Sequence, residues 1–153
     1  MIKYLFITSC IFLISNMSKA QNETENVNNL LTAWHKAAAT ADGDFFFGTM
    51  AEDGIYLGTD KTEKWTRDEM REWAKEYFER ESAWSFEATS RDVYFSADGK
   101  TAWFNEKLNT WMGICKGTGV LVKQKGKWKI ALYDLSVTID NDKIQEFVKL
   151  IEK

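Results

Sequence analysis

Three long strands in succession, within residues 100–138, constrain the fold of this chain more than any other feature. Residues 101–112, 116–124 and 127–138 are rich in aromatic and β-branched side chains, and turn residues such as Lys125-Gly126 separate them. Residues 85–95 have the same character and end at the turn signal Ala97-Asp98-Gly99. The sequence therefore predicts a four-stranded antiparallel meander in the second half of the chain.

The first half of the chain has the spacing of amphipathic helices. Apolar residues recur at helical intervals from Val27 onwards, and Asp44 is placed to cap a second, shorter helix. Thr66 and Glu69 have the spacing of a capping box, which predicts the start of a third helix. A last helix is expected from Asp142, with an apolar side that can dock on the domain or on a second subunit.

This order of elements predicts an α+β domain. Helices followed by a run of antiparallel strands favour an arrangement in which the helices cover one face of a curved sheet. Such a cone-shaped domain encloses a pocket, and residues 54–59, read as a small edge strand or hairpin, would frame its mouth. We assign residues 21–139 to this domain and residues 140–153 to a C-terminal helix.

Residues 1–20 have the pattern of a secretory signal peptide. A short positive start precedes an almost wholly apolar run at positions 4–14, and the small residues Ser18 and Ala20 occupy the positions that a signal peptidase requires. Cleavage is predicted between Ala20 and Gln21, which implies a periplasmic or extracellular protein. The apolar run is too short to span a bilayer, which needs about twenty residues, so no stable membrane insertion is expected after cleavage. Lipid modification at Cys10 is an alternative, but a modified cysteine normally follows a complete apolar run.

Charge and cysteine content restrict the partners of the exported chain. The full sequence has 20 basic and 23 acidic residues, and removal of residues 1–20 takes away two lysines and leaves a net charge of −5. Basic and acidic residues are interspersed, so we expect no nucleic-acid partner. Only Cys115 remains after cleavage, which excludes an internal disulfide. A lone cysteine among strand residues is typically a small buried hydrophobic residue.

The ordered set of local motifs resembles the SnoaL-like branch of the nuclear transport factor 2-like superfamily. The resemblance covers roughly residues 27–138. Its matching residues are Tyr56-Leu57-Gly58-Thr59-Asp60, Trp65, Ala102-Trp103-Phe104 with Glu106, Lys116-Gly117-Thr118-Gly119-Val120-Leu121, Trp128-Lys129-Ile130 and Ser136.

The resemblance implies a cone-shaped, cystatin-like fold with an apolar cavity between sheet and helices, and a homodimer that forms through the sheet. Members of the superfamily include isomerases, cyclases, dehydratases and association domains, so the fold leaves the activity open. In many SnoaL-like relatives the position of Asp134 is a histidine or another polar residue. A histidine-based mechanism is therefore not carried over to this chain.

Strand alternation suggests two carboxylates inside the cavity. Continuing the alternation from Trp128 and Ile130 through Leu132 places Asp134, and also Ser136, on the same inward face. In the earlier strand the alternation places Glu106 inward, beside Ala102, Phe104 and Leu108. Paired carboxylates in an apolar cavity have raised proton affinity and could perform acid and base steps on a carbonyl substrate.

Structural roles remain open for both acids. Asp134 could lie at the rim or accept a hydrogen bond from a neighbouring strand, and Glu106 could pair with Lys107, Lys116 or Arg91. A β-bulge would also shift the alternation and turn both acids outward.

Several aromatic and polar residues are candidate contacts for a ligand in the cavity, since small-molecule sites combine aromatic walls with few polar groups. His35, the one histidine, lacks partners at metal-ligand spacing, so we expect no metal site, and a surface or rim position is favoured for it over contact with a ligand. Gly113, Gly117 and Gly119 alternate within a strand and do not form a phosphate loop, so no cofactor is expected. The candidate ligand contacts are Tyr56, Trp73, Trp103, Trp128, Tyr133, Ser136 and His35.

Three functions follow from this interpretation. The first is binding of a small apolar or aromatic molecule without catalysis. The second is a cofactor-independent isomerase, cyclase or hydrolyase that uses Asp134 and Glu106, with Tyr56 or Tyr133 as hydrogen-bond donors. The third is a protein association module that uses an aromatic sheet face.

Overall fold

The structure is a computed structural model that describes residues 2–152, of which residues 2–20 are described only as part of the first helix. The predicted signal peptide, residues 1–20, and its cleavage site lie outside the residues whose side chains are described. No helix among the described residues is long and apolar enough to cross a membrane.

The second, third and last helices begin close to the predicted positions, whereas the first begins at Ile2 rather than near Val27. Asp42, rather than Asp44, caps the second helix, because its Oδ1 accepts a hydrogen bond from the Phe45 N–H at 3.0 Å. The predicted capping box of Thr66 and Glu69 is present, with the Thr66 N–H donating to Glu69 Oε2 at 2.8 Å. The helices are α1 (Ile2–Ala39), α2 (Gly43–Thr49), α3 (Arg67–Trp73), α4 (Lys75–Phe78), a 3-10 turn (Asn141–Lys143) and α5 (Ile144–Ile151).

Six strands form one sheet in the order β2-β1-β6-β5-β4-β3. The predicted meander is confirmed, since β3 to β6 pair antiparallel in sequence order. The sheet as a whole is mixed rather than antiparallel, because β1 is parallel to β6. The strands are β1 (Met50–Leu57), β2 (Lys64–Thr66), β3 (Glu87–Phe95), β4 (Thr101–Thr110), β5 (Gly113–Gln124) and β6 (Lys127–Val137).

The inner face of the sheet packs on α1 and α2. Trp34 of α1 is buried against this face, with its ring 4.7 Å from that of Tyr133, and its Nε1–H donates to the Phe46 carbonyl at 3.0 Å. The indole thus satisfies its one donor while it contributes apolar area to the core. Leu31 and Val27 lie one and two turns earlier on the same face of the helix and are fully buried. The predicted α+β fold class is confirmed.

A β-bulge in β6 changes which side chains face inward. Leu121 pairs with Ile130 while Val120 pairs with Leu132, so Ala131 is an extra residue in β6. An extra residue reverses the alternation beyond it, and Tyr133 is consequently fully buried. The prediction that Asp134 and Ser136 share the inward face of Trp128 and Ile130 is therefore wrong. The predicted inward face of β4 is confirmed, because Ala102, Phe104, Glu106 and Leu108 are all buried.

Candidate functional site

Glu106 is the centre of a buried polar cluster between the sheet and α1. Its Oε1 lies 2.8 Å from His35 Nε2 and accepts a hydrogen bond from the Tyr133 hydroxyl at 3.0 Å. Its Oε2 accepts a hydrogen bond from Arg91 Nε at 2.8 Å and lies 2.7 Å from Arg91 Nη2. Both oxygens of the carboxylate are thus engaged by protein groups, and the Glu106 side chain is fully buried.

The electrostatics of the cluster keep Glu106 ionised. Burial by itself raises the pKa of a carboxyl group, but the hydrogen bond and electrostatic interaction with His35, together with those of Arg91, outweigh it, so the pKa of Glu106 is lowered. An ionised carboxylate can only accept hydrogen bonds, so His35 Nε2 carries the proton in this contact. Burial and the charge of Glu106 raise the pKa of Tyr133 well above its ordinary value, which keeps its hydroxyl a donor.

Arg91 connects the cluster to α1. Its Nη1 donates to the Asn28 carbonyl at 3.1 Å and to Thr32 Oγ1 at 3.3 Å. The guanidinium therefore bridges β3, β4 and the first helix with a fork of donors that a lysine could not reproduce. Gly117, opposite Glu106 on β5, leaves room for these side chains, since a Cβ there would lie 2.5 Å from the Tyr133 hydroxyl oxygen.

A cavity of about 360 Å³ opens at the end of the sheet where β1 and β6 finish. Helix α3 and residues 83–86 cover one side of this cavity, and the turn between β4 and β5 borders another. Trp73 stacks between Trp65 and Tyr77, at ring-centre distances of 4.7 and 5.1 Å. We call this cavity the aromatic cleft; it is lined by Tyr56, Gly58, Thr59, Glu63, Trp65, Met70, Trp73, Tyr77, Ala83, Trp84, Phe86, Trp111, Met112 and Leu135.

Two polar side chains of the aromatic cleft are suited to contact a bound molecule. Glu63 is the one charged side chain of the lining. Burial, followed by the negative charges of Glu63, Glu106 and Asp134, raises the pKa of Tyr56, so its hydroxyl keeps its proton. Among the described residues that hydroxyl has no hydrogen-bond partner, which leaves it available as a donor to a ligand.

The structure brings only some of the predicted residues together. Tyr56 and Trp73 line the aromatic cleft, whereas Glu106, His35 and Tyr133 belong to the buried cluster. The surface or rim position favoured for His35 is wrong, because the residue is only 5% exposed. Its partner Glu106 lies 71 positions away in the sequence. The strand alternation placed Glu106 on the inward face, and a buried carboxylate requires a hydrogen-bond donor, but the sequence did not identify that donor as His35.

Asp134 and Ser136 lie on the outer face of the sheet and are not part of the aromatic cleft. The Ser136 hydroxyl donates to Asp134 Oδ1 at 3.2 Å. Trp103 is also on the outer face, where it is 45% exposed and stacks on Tyr94. Asp134 and Glu106 therefore cannot act together on one bound molecule.

Trp128 lines a second cavity at the opposite end of β5. This cavity has a volume of about 500 Å³ and lies between α1, α2 and the turn of β5 and β6. The Trp128 Nε1–H donates to Glu23 Oε2 at 2.8 Å, and the Lys123 ammonium lies 4.9 Å from its ring centre. Glu23, Lys123 and the Trp128 indole therefore already contact one another, which makes the larger cavity the weaker candidate for a ligand site.

Residues outside the candidate ligand contacts supply most of the aromatic cleft. Trp65, Tyr77, Trp84 and Trp111 lie on four separate segments, and only the folded chain places them around one cavity. Within the described part of the chain, no group of three or more His, Cys, Asp or Glu side chains could hold a metal ion.

The fold is that of the nuclear transport factor 2-like proteins. A protein of this class from Pseudomonas putida KT2440, of unknown function, is 14% identical, with a TM-score of 0.65 over 80% of this chain and 91% of its own. A protein from Parabacteroides distasonis, provisionally labelled a ketosteroid isomerase, is 18% identical, with a TM-score of 0.58 over 73% and 85% of the two chains. A protein from Xanthomonas campestris, provisionally labelled a calcium/calmodulin-dependent protein kinase II association domain, is 22% identical, with a TM-score of 0.57 over 74% and 86%.

Within this class, residues 27–140 match the SnoaL-like domain family, and the chain belongs to that family. No curated protein is similar enough to the chain to count as a match. At these identities the solved structures establish the fold alone.

Proposed function

We propose that this protein binds a small apolar or aromatic molecule in the aromatic cleft and does not catalyse a reaction there. The observation that carries the proposal is the lining of the cleft, in which seven aromatic side chains and few polar groups surround about 360 Å³. This composition is typical of sites for small organic ligands.

The positions of the two candidate acids favour binding over catalysis. Glu106 has both oxygens engaged by Arg91, His35 and Tyr133, and it does not line the cleft. Asp134 lies beyond the bulge, on the other face of the sheet. An acid and base pair would need both carboxylates within reach of the same substrate.

Binding can be tested with small neutral aromatic probes, indole and benzyl alcohol, followed by chemical-shift changes in NMR spectra. We expect shifts centred on residues of the cleft, and at least a tenfold loss of affinity in Trp73→Ala. The matched control is Trp103→Ala, which removes an indole of similar exposure from the outer face. Absence of any binding at the cleft, or equal loss in the two variants, would contradict the proposal.

We further propose that the outer face of the sheet forms a homodimer interface. Paired positions place an apolar row across five strands, and two of its members, Tyr94 and Trp103, are close to half exposed. A partly exposed apolar surface that crosses most of a sheet is typical of a protein interface. The row consists of Tyr94, Trp103, Val120, Leu132 and Ile55.

Export by a cleaved signal peptide is the third part of the proposal, and the pattern of residues 1–20 supports it. N-terminal sequencing of protein recovered outside the cytoplasm should begin at Gln21. An intact Met1 on that protein would exclude the proposed cleavage.

A further inference from the structure

The charges around the aromatic cleft indicate the kind of molecule that it selects. The lining contains one carboxylate, Glu63, and among the described residues no lysine, arginine or histidine lines the cleft. Given the proposed binding function, on which this inference rests, we propose that the ligand is an organic ammonium ion with an aromatic or alkyl body.

Aromatic rings are the second part of the argument. The faces of Trp and Tyr rings attract cations through their quadrupoles, and quaternary ammonium sites are often built from several such rings. Trp111 is 82% exposed, and its ring contacts no other ring in the described part of the chain. Its face is therefore available to a ligand that enters the cleft.

One end of the stacked rings already holds a cation. The Arg80 guanidinium carbon lies 4.5 Å from the centre of the Tyr77 ring, the last ring of the stack formed with Trp65 and Trp73. The Tyr77 ring therefore already attracts positive charge.

The local backbone holds Glu63 at the cleft. Glu63 Oε2 accepts a hydrogen bond from the Asp60 N–H at 3.1 Å, and the Gly58 N–H donates to the Glu63 carbonyl at 3.0 Å. The carboxylate lies against Gly58, where a Cβ would overlap Oε2. Oε1 has no hydrogen-bond partner within residues 21–152, so it can pair with an ammonium group.

Three probes with similar aromatic bodies separate the effect of charge on affinity from that of shape: the cation benzyltrimethylammonium, the neutral benzyl alcohol and the anion phenylacetate. Titration of the full protein, followed by NMR, should show the ammonium bound at the cleft roughly five- to thirtyfold more tightly than the alcohol. Phenylacetate should bind more weakly than either.

Two variants localise the effect. Glu63→Gln should reduce the affinity for benzyltrimethylammonium several-fold and leave the affinity for benzyl alcohol unchanged. The exposed control Glu81→Gln should change neither affinity. Trp111→Leu should also weaken the ammonium more than the alcohol, which provides a second test if Glu63→Gln disturbs the loop.

The outcomes distinguish this inference from the proposed function. Binding of both neutral and cationic probes at the cleft with equal affinity would overturn the ammonium preference and leave the binding function intact. Tighter binding of phenylacetate, or ammonium binding only elsewhere on the surface, would overturn the inference as well. No binding of any probe at the cleft would overturn both.

Discussion

Glu106 and Asp134 lie on opposite faces of the sheet. Glu106 of β4 pairs with Gly117 of β5, which in turn pairs with Leu135 of β6. Leu135 therefore faces the same side of the sheet as Glu106, and its neighbour Asp134 faces the opposite side. The extra residue Ala131 produces this outcome, because it reverses the alternation of β6 ahead of Tyr133. Tyr133 thereby replaces Asp134 as the partner of Glu106 inside the domain.

The first prediction concerns the charge of Glu106. Glu106→Gln should lower the free energy of unfolding by about 3–5 kcal/mol, because it leaves the buried Arg91 guanidinium without its counter-charge. Urea unfolding followed by circular dichroism measures this change. The control Glu52→Gln, on an exposed strand position, should leave the unfolding midpoint unchanged; equal midpoints for both variants would contradict the role of the cluster.

The second prediction is a loss of stability in acid. The pKa of Glu106 in the folded protein lies below its ordinary value of 4.5, so its ionisation stabilises the fold fully above about pH 4.5. This contribution is lost as the pH falls through the lowered pKa. Urea unfolding between pH 7 and pH 3 should show a smaller decrease for Glu106→Gln than for the unmodified protein, and parallel curves would contradict the assignment.

The third prediction compares two glycines. Gly117→Ala should destabilise the protein by about 1–3 kcal/mol, because the new methyl group would lie 2.5 Å from the Tyr133 hydroxyl oxygen and 2.8 Å from Glu106 Oε1. Gly48→Ala, in α2 with no atom within 4 Å of the new methyl group, should be neutral or stabilising. Thermal unfolding of both variants measures the difference, and a stable Gly117→Ala protein would show that the cluster can relax.

The fourth prediction addresses the proposed homodimer. Trp103→Asp places a charge within the apolar row on the outer face and should weaken dimerisation by at least tenfold. Sedimentation equilibrium over a range of protein concentrations measures the dissociation constant of the dimer. Gln124→Asp, an exposed change at the end of β5, is the control; an unmodified protein that is monomeric at all concentrations would exclude the interface.

Much of the fold could be predicted from local sequence. The capping box of Thr66 and Glu69 and the meander turn at Lys125-Gly126 depend on neighbouring residues, and the structure contains both. The short strand β2 was missed, because three residues carry little periodic signal and depend on pairing with β1. The candidate site was predicted less well: of the residues proposed to contact a ligand, Tyr56 and Trp73 line the aromatic cleft.

The sequence by itself determined the class of fold, the inward side of β4 and the buried position of Glu106, because these depend on periodicity over a few residues. Tertiary structure alone decided that Glu106 pairs with Arg91 rather than with Lys107 or Lys116, that His35 and Tyr133 join them, and that rings from distant segments form one cleft. The physical reason is that one extra residue in β6 reverses every side chain after it, while a buried charge is satisfied by whichever donors the folded chain brings near it.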